Sequence, residues 1–345
     1  MTIPVQNIYY LLTYAWRDFS AGDLVDVESL DEAELVDLFA HVLSRSTRQL
    51  LRRGLKRDYQ TFTREIAGVR GQVDFAGSIN KMLFQQGKAQ CRVDELTVDV
   101  PENRLLAATI TRLKRVPELD GELRDELAGL QAHFRDVSDL PRLNPLAFHR
   151  VQLKRNDRYY RLLLHICELV ARNLLLGESA GDTRFRDVLR EDVDMPMLFE
   201  RFVRNFYDHE LPEATARAEH IRWDATPANP AAEDALPIMK TDTTLRTADG
   251  VLVIDTKYTK KTLESGRFGE SIKTGNLYQI FAYLQNFAAT KNYDGELEGM
   301  LLYPVVDEQH RLEYDIHGHR LRVCTVDLAQ EWRGVEEELL GLVKS

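Results

Sequence analysis

Two aspartates and a lysine near the middle of the C-terminal half offer the clearest chemistry in this chain. Residues 238–246 alternate with β-branched side chains, and Thr247-Ala248-Asp249-Gly250 is turn chemistry. Residues 251–258 (VLVIDTKY) open on four apolar β-formers, the composition of a buried central strand. The pattern predicts a β-hairpin with charges at odd places: Asp242 interrupts the first strand, and Asp255 and Lys257 end the second. Strand alternation puts Asp255 and Lys257 on one face, within reach of Asp242 on the neighbouring antiparallel strand. Charges that converge at a sheet end cost free energy unless they are compensated. Two carboxylates repel, a divalent cation between them relieves the repulsion, and oxygen-only ligands favour Mg²⁺ over zinc. Such an ion polarises a phosphate and lowers the pKa of a bound water, while Lys257 orients the water or stabilises developing charge. The plainer alternative is a surface hairpin with an Asp–Lys salt bridge. The spacing of Asp242 to Asp255-x-Lys257 is loose by itself and gains weight from the apolar run before it and the helix after it.

That helix is expected at about 276–287. Asn276, Gln279, Tyr283 and Asn286 share one face, with Leu277, Ile280, Phe281, Leu284 and Phe287 on the others. A stripe of amides and a phenol facing the hairpin suits phosphate or the lysine; it equally suits an ordinary amphipathic helix. The loop before it carries Lys260, Lys261, Arg267 and Lys273, a basic segment fitted to phosphate or a partner. Residues 299–306 and 321–328 read as strands and 329–343 as a final helix. Upstream, Asp194 and Pro196 read as an N-cap and first-turn proline of a helix whose apolar face is Leu198, Phe199, Phe202, Val203 and Phe206. Residues 211–237 hold four prolines and read as irregular, with one short strand at 221–223.

The N-terminal half has a different texture. Seven acidic residues between Asp23 and Asp37 precede six basic ones between Arg45 and Arg57. Apolar residues between them recur at helical spacing. The expectation is one helix that complements its own dipole, with a basic phosphate patch as the alternative. Residues 59–100 read as a small β-rich insertion with turns near Gly68, Gly71 and Gly87, and residues 102–135 as helices. In residues 158–176 a single polar stripe (Arg158, Arg161, His165, Glu168, Arg172) marks a mostly buried helix, with His165 expected to partner Glu168. Prolines 117, 141 and 145 suggest a boundary near 141–156.

The chain has 345 residues, 44% apolar and 29% charged, with a net charge of −10. That composition fits about two globular domains and rules out a disordered or disulfide-stapled chain. Three distant cysteines without a CxxC pair argue against structural zinc and fit a reducing, cytoplasmic compartment. No stretch has the length of a membrane span. Acidity is unusual for a protein that grips DNA alone, since phosphate contacts supply most non-specific affinity.

The order helix, hairpin with Asp242 and Asp255-x-Lys257, helix with Gln279 and Tyr283 is similar to the PD-(D/E)xK nuclease fold. The Gln279/Tyr283 pair resembles that of the RecB-like branch. Over nearly its whole length the chain resembles the McrC family, the nuclease subunits of McrBC restriction systems. The matching stretches are 3–16 (IPVQNIYYLLTYAW), Arg53-Gly54-Leu55, Arg158-Tyr159-Tyr160, Trp223-Asp224-Ala225, 254–258 (IDTKY), 276–279 (NLYQ), Leu302-Tyr303-Pro304 and Gln330-Glu331-Trp332. Two departures from the wider pattern stand out: Thr241 replaces the proline of "PD", and Asp255 replaces the commoner Glu. Glu200 stands where the superfamily often has a helix-borne glutamate near the metal, and reads equally as a solvent-facing helix residue.

The resemblance implies an α+β or α/β chain. Residues 151–345 would be the nuclease domain, a mixed sheet flanked by helices. Residues 1–150 would be a helical partner-binding region carrying the insertion at 59–100. It implies a Mg²⁺-dependent endonuclease acting on double-stranded DNA with modified cytosine such as 5-methylcytosine. Asp242, Asp255 and the carbonyl of Thr256 would hold the metal, Lys257 would position the water, and Gln279 and Tyr283 would support the site. The implied partner is an McrB-like AAA+ hexamer that reads the base and hydrolyses GTP. The subunit would stimulate that GTPase and dock its N-terminal region in the ring; cutting both strands requires two copies to meet. The sequence has no GxxxxGK[ST] loop, in keeping with GTP being used by the partner. Two other classes stay open: a non-catalytic adaptor of an AAA+ NTPase, and a stand-alone RecB-like repair nuclease.

Overall fold

The computed structural model describes residues 3–16, 34–154, 157–179, 195–229, 235–259, 262–266, 269–306 and 308–343. The chain divides into two units, Met1–Leu38 with Asp187–Ser345, and Phe39–Arg186. The division therefore does not fall near residue 150. The first helix, α1 (Val5–Trp16), belongs with the C-terminal unit, and the helix at Arg158–Ser179 belongs with the other. The cause is tertiary and invisible to local periodicity: α1 fills its surroundings with side chains hundreds of residues away, as described below.

In the Phe39–Arg186 unit, α2 (Leu35–Arg53) supplies most of its length and buries Phe39, Val42, Leu43 and Leu50. The expected helix is present at this end; the acidic residues Asp23 to Glu32 lie outside the described residues. The β-rich insertion is an antiparallel sheet of β1 (Asp58–Ala67), β2 (Gln72–Val73) and β3 (Lys88–Thr97), with β3 central. Helix α3 (Phe75–Asn80), N-capped by Asp74, lies between β2 and β3 in sequence. Gly68, Gly71 and Gly87 all take positive φ at its turns, as their positions predict. Helices α4 (Pro101–Leu113), α5 (Gly121–Gln131), α6 (Pro145–Phe148) and α7 (Arg158–Ser179) complete the unit. In α7, Glu168 pairs with Arg172 and His149.

One polar cluster ties this unit together. Lys56 Nζ donates to Glu102 Oε1 at 2.6 Å and to Asp157 Oδ2 at 2.8 Å. Tyr160 Oη accepts from the Lys56 amide and donates to Asn103 Oδ1. The Asn103 amide donates to the carbonyls of Lys56 and Val98. Much of the basic stretch 45–57 is thus engaged internally: Arg48 pairs with Glu126 and Arg53 lies over the Tyr159 ring.

The other unit is built on α8 (Met195–Glu210) and a six-stranded mixed sheet. After β4 (Thr215–Arg217), a two-stranded ribbon of β5 (His220–Ile221) and β6 (Met239–Lys240) precedes β7 (Thr243–Arg246) and β8 (Gly250–Thr256). A ribbon of β9 (Glu264–Gly266) and β10 (Gly269–Ser271) leads to α9 (Thr274–Thr290). Then come β11 (Glu296–Pro304), β12 (Arg311–Ile316), β13 (His319–Val326) and α10 (Trp332–Val343). Sheet order is β12-β13-β11-β8-β7-β4, with β13, β11 and β8 parallel and the outer pairs antiparallel. Helix α9 covers one face, burying Ile280, Leu284 and Phe287 against Val251, Val253, Leu301 and Val323. It lies close because β11 offers Gly299: a side chain there would fall 2.9 Å from Leu284 and 3.0 Å from Ile280.

Helix α8 packs against β4, β7 and β8, with Phe199, Phe202, Val203 and Phe206 fully buried. Helix α1 joins it. Asn205 Nδ2 donates to the last-turn carbonyls of Tyr14 and Ala15, where helix carbonyls otherwise lack partners. Asn7 Nδ2 donates to the carbonyls of Leu328 and Gln330, and Tyr10 stacks on Trp332 with centroids 4.6 Å apart. The stretch 3–16 is thus a structural part of the sheet's unit. Among the described residues no helix is long and apolar enough to cross a membrane, and all three cysteines are buried free thiols.

Candidate active site at the centre of the mixed sheet

Strand β8 is buried along its whole length, and its alternation decides where the charges go. Val251 and Val253 face α9, so Asp255 and Lys257 follow on that side. Asp255, paired in register with Leu301 of the parallel neighbour, is 0% exposed. Lys257 Nζ stands 2.7 Å from its Oδ2 and pairs with it. The other oxygen, Oδ1, has no hydrogen-bond partner among the described residues. Burial pushes its pKa up to about 6; nearby Lys257 opposes the shift and Asp242 adds to it.

Asp242 lies just before β7, where the antiparallel register that pairs Thr243 with Ile254 brings it beside Asp255. Its Oδ2 accepts from both the amide and the hydroxyl of Thr256 at 2.8 Å. Burial raises its pKa, the Thr256 bonds counteract this, and the Glu200 charge adds to it. The chain leading into Asp242 is fixed without a proline. Thr241 N donates to Glu219 O, Glu219 N donates to Thr241 Oγ1, and that hydroxyl meets Thr244 Oγ1 at 2.9 Å.

Helix α9 supplies the rest. Lys257 Nζ donates to Gln279 Oε1 at 3.0 Å, Gln279 Nε2 donates to Tyr283 Oη at 2.8 Å, and Tyr283 Oη donates to Lys240 O at 3.0 Å. The relay fixes which way the Gln279 amide faces: with Tyr283 as acceptor of its N–H, the oxygen is left for the lysine. The other two polar residues of the stripe act elsewhere, Asn276 donating to Tyr303 Oη and Asn286 accepting from Asp224 N.

All five side chains expected at the site, Asp242, Asp255, Lys257, Gln279 and Tyr283, therefore meet in one place, with Thr256 bonded to Asp242. Of the basic loop, Lys260, Lys261 and Arg267 lie outside the described residues, as does the Asp194 cap. Sequence reasoning missed Arg204, whose Nη1 donates to the main-chain oxygen of Asp242 at 2.7 Å and to Glu200 Oε1 at 2.8 Å. The only local signal was the i,i+4 spacing of Glu200 and Arg204, which any surface helix can show.

The donor set suits a hard cation. A fully buried carboxylate with one oxygen unpartnered among the described residues, a second carboxylate beside it and surrounding oxygens are what an oxygen-seeking ion needs. Among the described residues no three Asp, Glu, His or Cys converge as a closed metal cage. Two carboxylates are within what Mg²⁺ uses, since it keeps several waters and is commonly held by one or two carboxylates plus substrate phosphate.

A mixed sheet with a parallel centre, carrying Asp, Asp-x-Lys and a helix-borne Gln/Tyr pair at one end, has the architecture expected of a PD-(D/E)xK core. A model described as "McrBC 5-methylcytosine restriction system component" matches residues 8–304. The chain is 34% identical over 342 residues to the type IV methyl-directed restriction enzyme EcoKMcrBC of Escherichia coli (strain K12), covering 99% of this chain and 97% of that protein. It belongs to this family of McrBC restriction-system components. Its fold matches a solved half-complex of Thermococcus gammatolerans McrB AAA+ hexamers with bound McrC: TM-score 0.56, 19% identity, 97% of this chain and 76% of that one.

Proposed function

We propose that this chain is the DNA-cutting subunit of a GTP-dependent complex directed at modified cytosine, and that Asp242, Asp255 and the Thr256 carbonyl hold its Mg²⁺. The observation that carries the reading is the Asp255 carboxylate, fully buried, with Lys257 on Oδ2, no partner for Oδ1 among the described residues, and Asp242 beside it. A buried carboxylate oxygen without a partner is uncommon away from sites that use it. When bound, the ion polarises the scissile phosphate and makes its water acidic at neutral pH. Lys257 positions that water and offers its charge to the oxygen developing negative charge. Gln279 orients Lys257, and Tyr283 orients Gln279.

The partner in this reading is an McrB-like AAA+ ring, supported by the solved relative being an assembly of McrB hexamers with bound McrC. The ring supplies GTP hydrolysis and recognition of 5-methylcytosine, in line with the chain's net charge of −10. The Phe39–Arg186 unit, with its β-sheet module, contacts the partner and stimulates its GTPase. Helix α1 is given no docking role, since its side chains are spent within the nuclease unit. Two copies come together on DNA to cut both strands.

The test is cleavage of a cytosine-methylated plasmid by the chain with its partner GTPase, GTP and Mg²⁺, beside Lys257→Ala. Cutting is expected in the full mixture alone and is lost in the variant. Cutting without the partner favours the stand-alone nuclease; faster GTP turnover without any cutting favours the adaptor.

A further inference from the structure

Helix α8 presents Glu200, Arg204 and Asp208 at successive i,i+4 positions, opposite a side built from Phe199, Phe202, Val203 and Phe206. Asp208 ties the helix to β4, accepting from Ala216 N at 3.4 Å. Arg204 makes a different kind of contact. A single nitrogen, Nη1, donates to Asp242 O at 2.7 Å and to Glu200 Oε1 at 2.8 Å. A guanidinium nitrogen carries two hydrogens in a rigid plane, so two acceptors bound to it are held at a fixed angle to each other. One acceptor is the backbone of a carboxylate residue of the site. The other is a carboxylate whose charge bears on both Asp242 and Asp255.

A plain helix–strand tie does not need Glu200, and a plain i,i+4 pair does not need Asp242. The Arg204 side chain is also 17% exposed, well shielded for an arginine on a helix surface. We propose that Arg204 is a positioning residue of the metal site: it locks the Asp242 backbone and the Glu200 carboxylate into one arrangement, so that the acidic groups are set before a cation arrives. This deepens, and rests on, the reading of the site as a Mg²⁺-dependent nuclease centre.

Two readouts on the full-length chain test it. The first is the rise in melting temperature with added Mg²⁺, without DNA or partner; the second is the Mg²⁺ dependence of plasmid cleavage in the complete mixture. Arg204→Met keeps the apolar stem and removes the donors. It is expected to raise the half-saturating Mg²⁺ concentration about tenfold in both, the usual scale for groups that orient metal ligands. Arg204→Lys, which keeps the charge but not the rigid planar donors, is expected to raise it by less than Arg204→Met does. A folded Arg204→Met with the parent's Mg²⁺ midpoint overturns the proposal. Should that variant not fold, an unchanged midpoint in Arg204→Lys overturns it instead. Absence of any Mg²⁺ response in the parent overturns the site reading itself, an outcome separate from a parent that responds and a variant that responds equally.

Discussion

Lys56 and Lys257 are each held against buried carboxylates, one in each unit of the molecule, and the two surroundings differ in how they are completed. Around Lys56 the ammonium meets two carboxylates: Glu102 and Asp157 take it, and Tyr160 and Asn103 close the neighbouring backbone groups. Around Lys257 the chain stops short. The ammonium reaches Gln279 and Asp255 Oδ2, yet Asp255 Oδ1 has no partner among the described residues. The first cluster holds helices and the β-sheet module in one arrangement. The second puts two carboxylates against one lysine at the end of a sheet and leaves Asp255 Oδ1 without a partner among the described residues, which gives a cation a place to bind. The same residue types, a lysine with two carboxylates, are structural in one setting and reactive in the other.

Breaking each cluster should expose the difference. Lys56→Met leaves Glu102 and Asp157 facing each other without a cation, which should cost about 3–5 kcal/mol in denaturant unfolding of the full chain. A loss under about 1 kcal/mol would mean that the cluster behaves as a solvated surface pair. At the other cluster the smaller expected effect comes from Tyr283→Phe. The Gln279 amide loses the acceptor that fixes its orientation, and cleavage should slow about tenfold, with melting temperature little changed. Wild-type turnover in that variant would remove Tyr283 from the positioning relay.

Much of this was legible in the sequence, for local reasons. The hairpin, its two aspartates and lysine, and the stripe on α9 follow from strand and helix periodicity, which act over a few residues. The glycine turns of the β-sheet module follow from backbone chemistry at Gly68, Gly71 and Gly87. What escaped depends on distance along the chain. Asn7 reaches Leu328 and Asn205 reaches Tyr14, so α1 joins the sheet's unit and the boundary near 150 dissolves. Strand β12, an exposed edge reading RLEYDI, lacks an apolar run to announce it, and β4 is three residues long. Arg204 was hidden because its acceptor is a main-chain carbonyl 38 residues on, which has no signature in side-chain pattern. The choice of Thr241 where the wider fold has proline became intelligible only once Glu219 was seen to hold it.

The contrast between the two clusters is tested most directly by Asp255→Asn, read by cleavage and by stability together. Asp255 takes up its proton at about pH 6 in the folded chain, against about 3.9 in an unfolded one. Its stabilising protonation is therefore fully present below about pH 4 and lost as pH rises through about 6. Above that, the buried charge costs up to about 3 kcal/mol, and the amide should recover roughly 1–2 kcal/mol of it, since it brings unmet hydrogen bonds of its own. The account predicts that Asp255→Asn, in chelator at pH 8, unfolds at a higher temperature than the parent, with the difference vanishing below about pH 4, while plasmid cleavage in the complete mixture disappears. Retained cleavage, or a loss of stability like that of Lys56→Met, would contradict it.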